Sequence, residues 1–337
     1  MKNIKKIGVT ALAGSLAMFS VAQADMSVSG GAEFTYLSTE GTGGASSAST
    51  NGNPFGMEHS ITFSGSGELD NGFTYNVKTN IAGQDTNVDS SILTIDMGDM
   101  GMVGFDQGAG AFGMATVENN VPTAYEEADH NVGTLAHGIN AAGSTGVIGY
   151  KGSFYGVGVN VSYNPTAGEA LLTQAGSTGG TSDGSETAAV LTAAVPYVDG
   201  LTAMIGASKT DYSVATSNDD TEITASLNYA VGPVAIGYQY SEVQAGANDY
   251  GNNITSYGIA FNVNENLSIS YNQTDNEKDN GPGVNSGVNV TEENTGINAA
   301  YTMGSASIRV AINEADGVNG VAADTKEATE ISLALAF

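Results

Sequence analysis

The chain has 337 residues, no cysteine, and 36 acidic against 9 basic side chains, so its formal charge is −27. The absence of cysteine excludes disulfides, cysteine metal sites and thiol chemistry, and the excess of acids argues against nucleic acid as a partner. With 46 glycines and only 7% aromatic residues, the chain has too few bulky apolar side chains for the core of a conventional globular protein of this length. Its apolar content is sufficient for a β-sheet wall with one apolar face.

The first 24 residues have the pattern of a secretory signal. Three lysines precede an apolar run over 7–19, and an Ala-Gln-Ala sequence ends at Ala24. The alternative, a membrane anchor, is disfavoured because the run is shorter than the roughly 18 residues that span a bilayer. We therefore expect a cleaved signal peptide over 1–24 and a mature chain over 25–337, whose formal charge falls from −27 to −30 with the loss of the three lysines.

From residue 26 onward, apolar residues alternate with small or polar ones in segments of about ten residues. Strands running in one direction are predicted at about 26–37, 72–82, 101–107, 154–163, 201–211, 233–242, 266–275 and 305–314. Returning strands are predicted at about 57–69, 88–97, 145–151, 187–198, 221–230, 254–263, 294–302 and 328–337. The sequence thus predicts an all-β fold, a transmembrane antiparallel β-barrel of sixteen strands, an even number that leaves both termini on one rim.

The connections between these strands are alternately short and long. The short ones have turn-forming sequences, such as Asp70-Asn71-Gly72 and Asp199-Gly200. Most long ones are rich in glycine, serine, threonine, asparagine and acids, as at 39–55, 164–186, 276–293 and 315–327. This arrangement is typical of a barrel with tight turns on one rim and exposed loops on the other.

Three short stretches carry a resemblance to a known family. Residues 59–73 read HSITFSGSGELDNGF, residues 91–103 read SILTIDMGDMGMV, and residues 331–337 read ISLALAF. They resemble the second hairpin, the hairpin before the constriction loop and the C-terminal assembly signal of the sixteen-stranded general porins of Gram-negative bacteria, most of all the alphaproteobacterial type. Leu335 is a departure, since that signal more often has tyrosine there. The resemblance covers the mature chain and implies an outer-membrane homotrimer that is inserted by the barrel-assembly machinery through the strand ending at Phe337.

Sixteen strands leave an aqueous channel, and the resemblance implies that the third and longest loop, about 108–144, folds into it. This loop contains no lysine or arginine. Its acids and the one at its entry form our predicted constriction: Glu118, Glu126, Glu127, Asp129 and Asp106. Lys78 and Arg309 are predicted to face the loop, because their neighbours along each strand point to lipid. Opposed acidic and basic walls would give a transverse field that favours cations. Alternatively, these acids are solvated loop charges away from the pore axis.

Other patterns carry less weight. Asp219, Asp220 and Glu222 offer oxygen ligands for Ca²⁺ near the outer rim, although simple solvated acids are the favoured interpretation. Residues 108–113 match G-x-G-x-x-G but precede no amphipathic helix, so we interpret these glycines as part of a tightly folded loop. The chain has three histidines, at 59, 130 and 137; the two in the loop lack metal-site spacing, and we interpret them as polar constriction or rim residues.

The sequence therefore predicts a passive diffusion channel for small hydrophilic solutes and ions in the outer membrane, with no catalytic residues and no cofactor. Two alternatives remain at this point. A substrate-specific channel would share the fold but would show saturating transport. A secreted acidic surface protein or adhesin would share the composition, but such proteins often have calcium-binding nonapeptide repeats, and none occur here.

Overall fold

A computed structural model of the chain describes residues 25–42, 53–83, 88–135, 139, 145–165, 184–211, 219–245, 250–279 and 290–337; the predicted signal peptide lies outside these residues. They form a closed antiparallel barrel in which each strand pairs with its neighbours in sequence and β1 pairs with β16. The predicted sixteen-stranded all-β barrel is confirmed. Its strands are β1 Asp25–Gly41, β2 Phe55–Glu68, β3 Thr74–Ala82, β4 Ser90–Asp96, β5 Met102–Gln107, β6 Thr145–Phe154, β7 Val157–Asn164, β8 Ser185–Ala194, β9 Leu201–Asp211, β10 Asp220–Val231, β11 Val234–Ala245, β12 Tyr250–Asn262, β13 Leu267–Asp279, β14 Val290–Met303, β15 Ala306–Asp316 and β16 Thr325–Ala336.

The alternation in the sequence becomes two different faces of the wall. In β10, Ile223 and Leu227 are 49% and 50% exposed on the outside, whereas Thr224 and Ser226 are buried on the inside. Successive side chains of a strand point to opposite faces, so one face meets lipid and the other faces the interior of the barrel. Among the described residues, no helix has the length and apolarity to cross a membrane.

The predicted short turns close the hairpins at one rim. At the first of them, the backbone N–H of Leu69 donates to the carbonyl of Phe73 at 2.7 Å, and Asn71 Oδ1 accepts the N–H of Phe73 at 3.1 Å. Gly72 has a φ of +83°, a conformation that glycine adopts without the steric penalty of a side chain. Local turn chemistry thus sets the register of β2 on β3.

At the opposite rim, several strands continue beyond their predicted ends. β13 runs to Asp279 and β14 begins at Val290, so the loop predicted over 276–293 is shorter than expected. Asn276 pairs with Glu292 in the ladder between these strands. In this part of the hairpin the sequence no longer alternates apolar and polar residues, although the two backbones still pair. The pattern that predicts a strand is therefore missing there.

Candidate functional site at the third loop

The described part of the third loop, residues 108–135 and 139, lies inside the barrel. Its base is organised by Asp106 in β5, which is 1% exposed. The two carboxylate oxygens accept the backbone N–H groups of Ala109 at 2.7 Å and Ala111 at 2.6 Å. Gly108 and Gly110 have φ values of +92° and +63°. The glycine motif is therefore a tight turn around a carboxylate, and the charge of Asp106 binds the loop backbone.

Glycines of the wall make room for the loop. A Cβ atom at Gly149 would lie 1.9 Å from Cγ of Phe112, and one at Gly258 would lie 2.6 Å from the carbonyl oxygen of Pro122. Both distances are far below a carbon contact of about 3.5 Å, so only glycine allows this approach. We call these positions the glycine seats; they are Gly104, Gly149, Gly206, Gly237, Gly258 and Gly296.

Side-chain amides of the inner wall hold the loop backbone. Asn272 and Asn298 each donate to the carbonyl of Glu126 at 3.0 Å, and Asn313 donates to the carbonyl of His130 at 2.8 Å. The irregular backbone of the loop pairs only some of its polar groups with one another, and the amides of the wall satisfy further ones that are buried. We call this set the amide belt: Asn160 in β7, Gln239 in β11, Asn272 in β13, Asn298 in β14 and Asn313 in β15.

The tip of the loop is fastened to the strands at the barrel closure. The Tyr125 hydroxyl lies 2.5 Å from Oε1 of Glu330 and 3.0 Å from Oε1 of Glu33. The guanidinium carbon of Arg309 lies 4.3 Å from the centre of the Tyr125 ring, within the range of a cation–π contact. Arg309 Nη2 also lies 2.5 Å from Oε1 of Glu33. We call these four residues the tip clamp.

His130 joins the loop to the wall next to this clamp. Its Nε2 lies 3.1 Å from Oε2 of Glu330, and its Nδ1 lies 3.4 Å from Oε2 of Glu126. The hydrogen bond to Glu330 raises the pKa of the His130 imidazole, against the opposing effect of partial burial. Asn131 Nδ2 donates to the same Glu330 oxygen at 2.7 Å.

The loop also concentrates carboxylates. Burial raises the pKa of Glu127 to about 7, and the neighbouring charges of Asp129 and Glu118 contribute in the same direction. Burial likewise raises the pKa of Glu126. Burial is thus the main cause of both shifts, and the contribution of Asp129 and Glu118 to the pKa of Glu127 shows that these carboxyl groups lie near one another in the loop.

Comparison with known families decides the identity of this barrel. A profile described as Gram-negative porin matches residues 8–336. The chain belongs to the Gram-negative porin family. It is therefore an outer-membrane porin, and the predicted family and location are confirmed. A comparison with curated proteins finds no significant match.

Solved structures have the same fold as this porin. OmpT, an outer membrane protein of Vibrio cholerae, is 10% identical with a TM-score of 0.66, over 93% of this chain and 98% of that one. An anion-selective porin from Comamonas acidovorans is 13% identical with a TM-score of 0.63, over 94% and 100%. A porin whose structure was refined at 1.8 Å is 14% identical with a TM-score of 0.65, over 93% and 100%. At these identities the likeness concerns the fold.

The predicted pore residues differ in their position and in their contacts with the loop. Arg309 lies on the inner face and contacts the loop through Tyr125. Lys78 also follows the inward phase, because its neighbour Val77 is exposed on the outside, but the contacts described for the loop do not include it. Glu118 is exposed, and Asp129 lies partly buried in the loop near Glu127.

Sequence reasoning missed four residues of this site: Glu33, Tyr125, Glu330 and Lys151. The Lys151 ammonium lies 5.6 Å from the centre of the Phe112 ring at the loop base. The strand phase that identified Arg309 also marks Glu33, Lys151 and Glu330 as inward residues. For Tyr125 no comparable signal exists, since the loop has no periodicity.

The remaining predicted ligands do not gather at one point among the described residues. Asp219 forms an ion pair with Lys209 at 2.9 Å, whereas Glu222 is buried and accepts a hydrogen bond from Ser208 at 3.2 Å. His59 lies on the outward face of β2, in phase with the exposed Met57, so it does not line the pore. His137 lies outside the described residues.

Proposed function

We propose that this porin is a passive diffusion channel for small hydrophilic solutes and ions, with a preference for cations. The observation that carries the proposal is the charge balance at the loop tip. The inward arginine, Arg309, is compensated by Glu33 at 2.5 Å, while the loop over 108–144 adds acids and no lysine or arginine. The acids of the loop and of the adjoining wall outnumber the basic groups beside them, Arg309, Lys151 and His130, so the side of the interior where the loop lies is net negative.

Coulomb's law indicates how strongly these carboxylates enrich cations in the channel. In water, an ion about 7 Å from one uncompensated carboxylate gains about 0.6 kcal/mol, which corresponds to a roughly threefold local enrichment of cations. Several carboxylates act together, and the interior of a barrel screens them less than bulk water does. The mechanism needs no catalytic step and no cofactor, because solutes move down their gradient.

We also propose that the porin is a homotrimer and that its C-terminal strand is the segment bound by the barrel-assembly machinery. Exposed aromatic residues on β1 and β2 support an oligomer contact: the rings of Phe34 and Phe55 stack with centroids 5.7 Å apart, and Tyr36 lies beside them. The Phe337 backbone exchanges two hydrogen bonds with Gly30 at 2.8 and 2.9 Å, so the last residue completes the pairing of β16 with β1.

The test is current through the purified protein in a planar bilayer under a potassium chloride gradient. We expect a reversal potential on the potassium side and current steps in groups of three. A reversal potential on the chloride side would contradict the cation preference, and single steps would contradict the trimer. Flux of neutral sugars that saturates with concentration would favour a substrate-specific channel instead.

A further inference from the structure

The loop tip brings two side chains that are four residues apart, Glu126 and His130, next to Glu330 on the last strand. One nitrogen or oxygen atom from each lies within 4.8 Å of the other two. Imidazole and carboxylate are the side chains that most often bind zinc and similar divalent metals when no cysteine is present. The tip clamp does not use His130.

We propose that Glu126, His130 and Glu330 form a binding site for a divalent transition-metal ion, with Zn²⁺ as its representative. Two ligand atoms of a tetrahedral zinc ion with bonds of about 2.0–2.1 Å are about 3.3 Å apart. The observed separation of His130 Nε2 and Glu330 Oε2 is 3.1 Å. An ion between these atoms therefore needs little movement of either residue. Glu126 Oε2 lies 3.4 Å from the other ring nitrogen, Nδ1, so the Glu126 carboxylate must rotate toward Nε2 to supply the third ligand.

Neighbouring groups hold one of these ligands in place. The Tyr125 hydroxyl lies 2.5 Å from Oε1 of Glu330, and Asn131 Nδ2 lies 2.7 Å from its Oε2. Hydrogen bonds to a coordinating carboxylate fix its orientation and are a regular part of protein metal sites. The wall side of the proposed site is thus preorganised.

Charge and access also suit a divalent ion. Two carboxylates compensate two positive charges, so the ion would be neutralised by its own ligands. The His130 and Glu126 side chains are 38% and 26% exposed, against 9% for Glu330. An ion can therefore arrive from the water-filled interior, and a water molecule can complete its coordination. Once bound, it would join the loop to β16 and reduce the negative charge beside the pore.

Isothermal titration of ZnCl₂ into the full mature porin, purified in detergent and stripped of metals with a chelator, tests the site directly. We expect one Zn²⁺ per chain. His130→Gln and Glu126→Gln should each weaken the affinity at least tenfold. The matched control is His59→Gln, because His59 lies on the outward face of β2; its affinity should stay within twofold of the parent. All variants are first checked for the heat-sensitive gel mobility of a folded barrel.

Three outcomes would overturn the proposal: no binding of Zn²⁺, unchanged affinity in both loop variants, or equally tight binding of Mg²⁺. The last would indicate general attraction to an acidic loop, since Mg²⁺ prefers oxygen ligands and keeps its waters. Bilayer currents in ZnCl₂ provide a second readout, with a reduced step size expected for the parent and not for His130→Gln. Because titration measures binding without conduction, its failure leaves the proposed channel function untouched.

Discussion

Replacing Gly149 by alanine should loosen the base of the third loop. The added Cβ would lie 1.9, 2.2 and 2.5 Å from Cγ, Cδ1 and Cβ of Phe112. Ordinary carbon contacts begin at about 3.5 Å, so the ring would have to retreat by about 1.6 Å. Phe112 is only 3% exposed, and it also lies over Gly104, where an added Cβ would be 2.6 Å away. The ring therefore has little free space on the wall.

The size of the effect follows from this overlap. Adding a methyl group to a close-packed site costs about 1–3 kcal/mol. If the loop base relieves the overlap by opening locally, its opening equilibrium shifts by roughly 5- to 150-fold, since 1.4 kcal/mol is a factor of ten. The amides that report on this opening are Ala111 N–H, bound to Asp106, and Gly113 N–H, bound to Asn160.

Hydrogen exchange measured by mass spectrometry on the detergent-solubilised protein provides the assay. Peptides covering 109–121 should exchange roughly 5- to 150-fold faster in Gly149→Ala, while peptides from β12 to β14 should be unchanged. The matched control is Gly65→Ala in β2, where an added Cβ meets nothing within 4 Å. Equal exchange in the two variants would refute the argument that the glycine seats position the loop.

Three further variants test the tip clamp and the barrel closure. Glu33→Gln removes the charge that compensates Arg309, so the reversal potential in a potassium chloride gradient should move toward chloride; an unchanged potential would contradict this compensation. Tyr125→Phe removes a hydroxyl that reaches two carboxylates, and since an unsatisfied buried acceptor costs about 1–3 kcal/mol, we expect increased noise in the open-channel current, whereas noise like that of the parent would show that the clamp does not hold the tip. Deleting Phe337 removes two backbone hydrogen bonds to Gly30 and should lower the amount of folded barrel in outer-membrane fractions, with equal amounts counting against this role.

The wall could be predicted from the sequence because contact with lipid requires apolar side chains on one face of each strand. Wherever one face meets lipid, as at Ile223 and Leu227 in β10, the apolar alternation marks the strand and its phase. Near Asn276 and Glu292 neither side chain needs to be apolar, although their backbones still pair. The strand ends at that rim were therefore predicted too short.

The candidate site could be predicted only in part, for a related reason. The inward direction of Arg309 can be predicted because the residues on either side of it along the strand face lipid. Glu33 has the same signal, since it lies between Ala32 and Phe34. The sequence pattern does not show which inward residues contact one another, because these contacts depend on barrel closure and on the path of an irregular loop. Tyr125 and His130 lie in an irregular loop, so no strand periodicity indicates where their side chains point. Their contacts with Glu330 also span 205 and 200 residues of sequence.

The attachment of the loop tip has a consequence for assembly. Tyr125 reaches Glu33 on the first strand and Glu330 on the last strand, and these strands become neighbours only when β1 pairs with β16. A partly assembled sheet, in which the two ends of the chain are still apart, thus lacks a complete binding site for the loop tip. Pairing of β1 with β16 therefore both seals the wall and completes the binding site for the loop tip, so an intermediate in which these strands are unpaired has no finished pore.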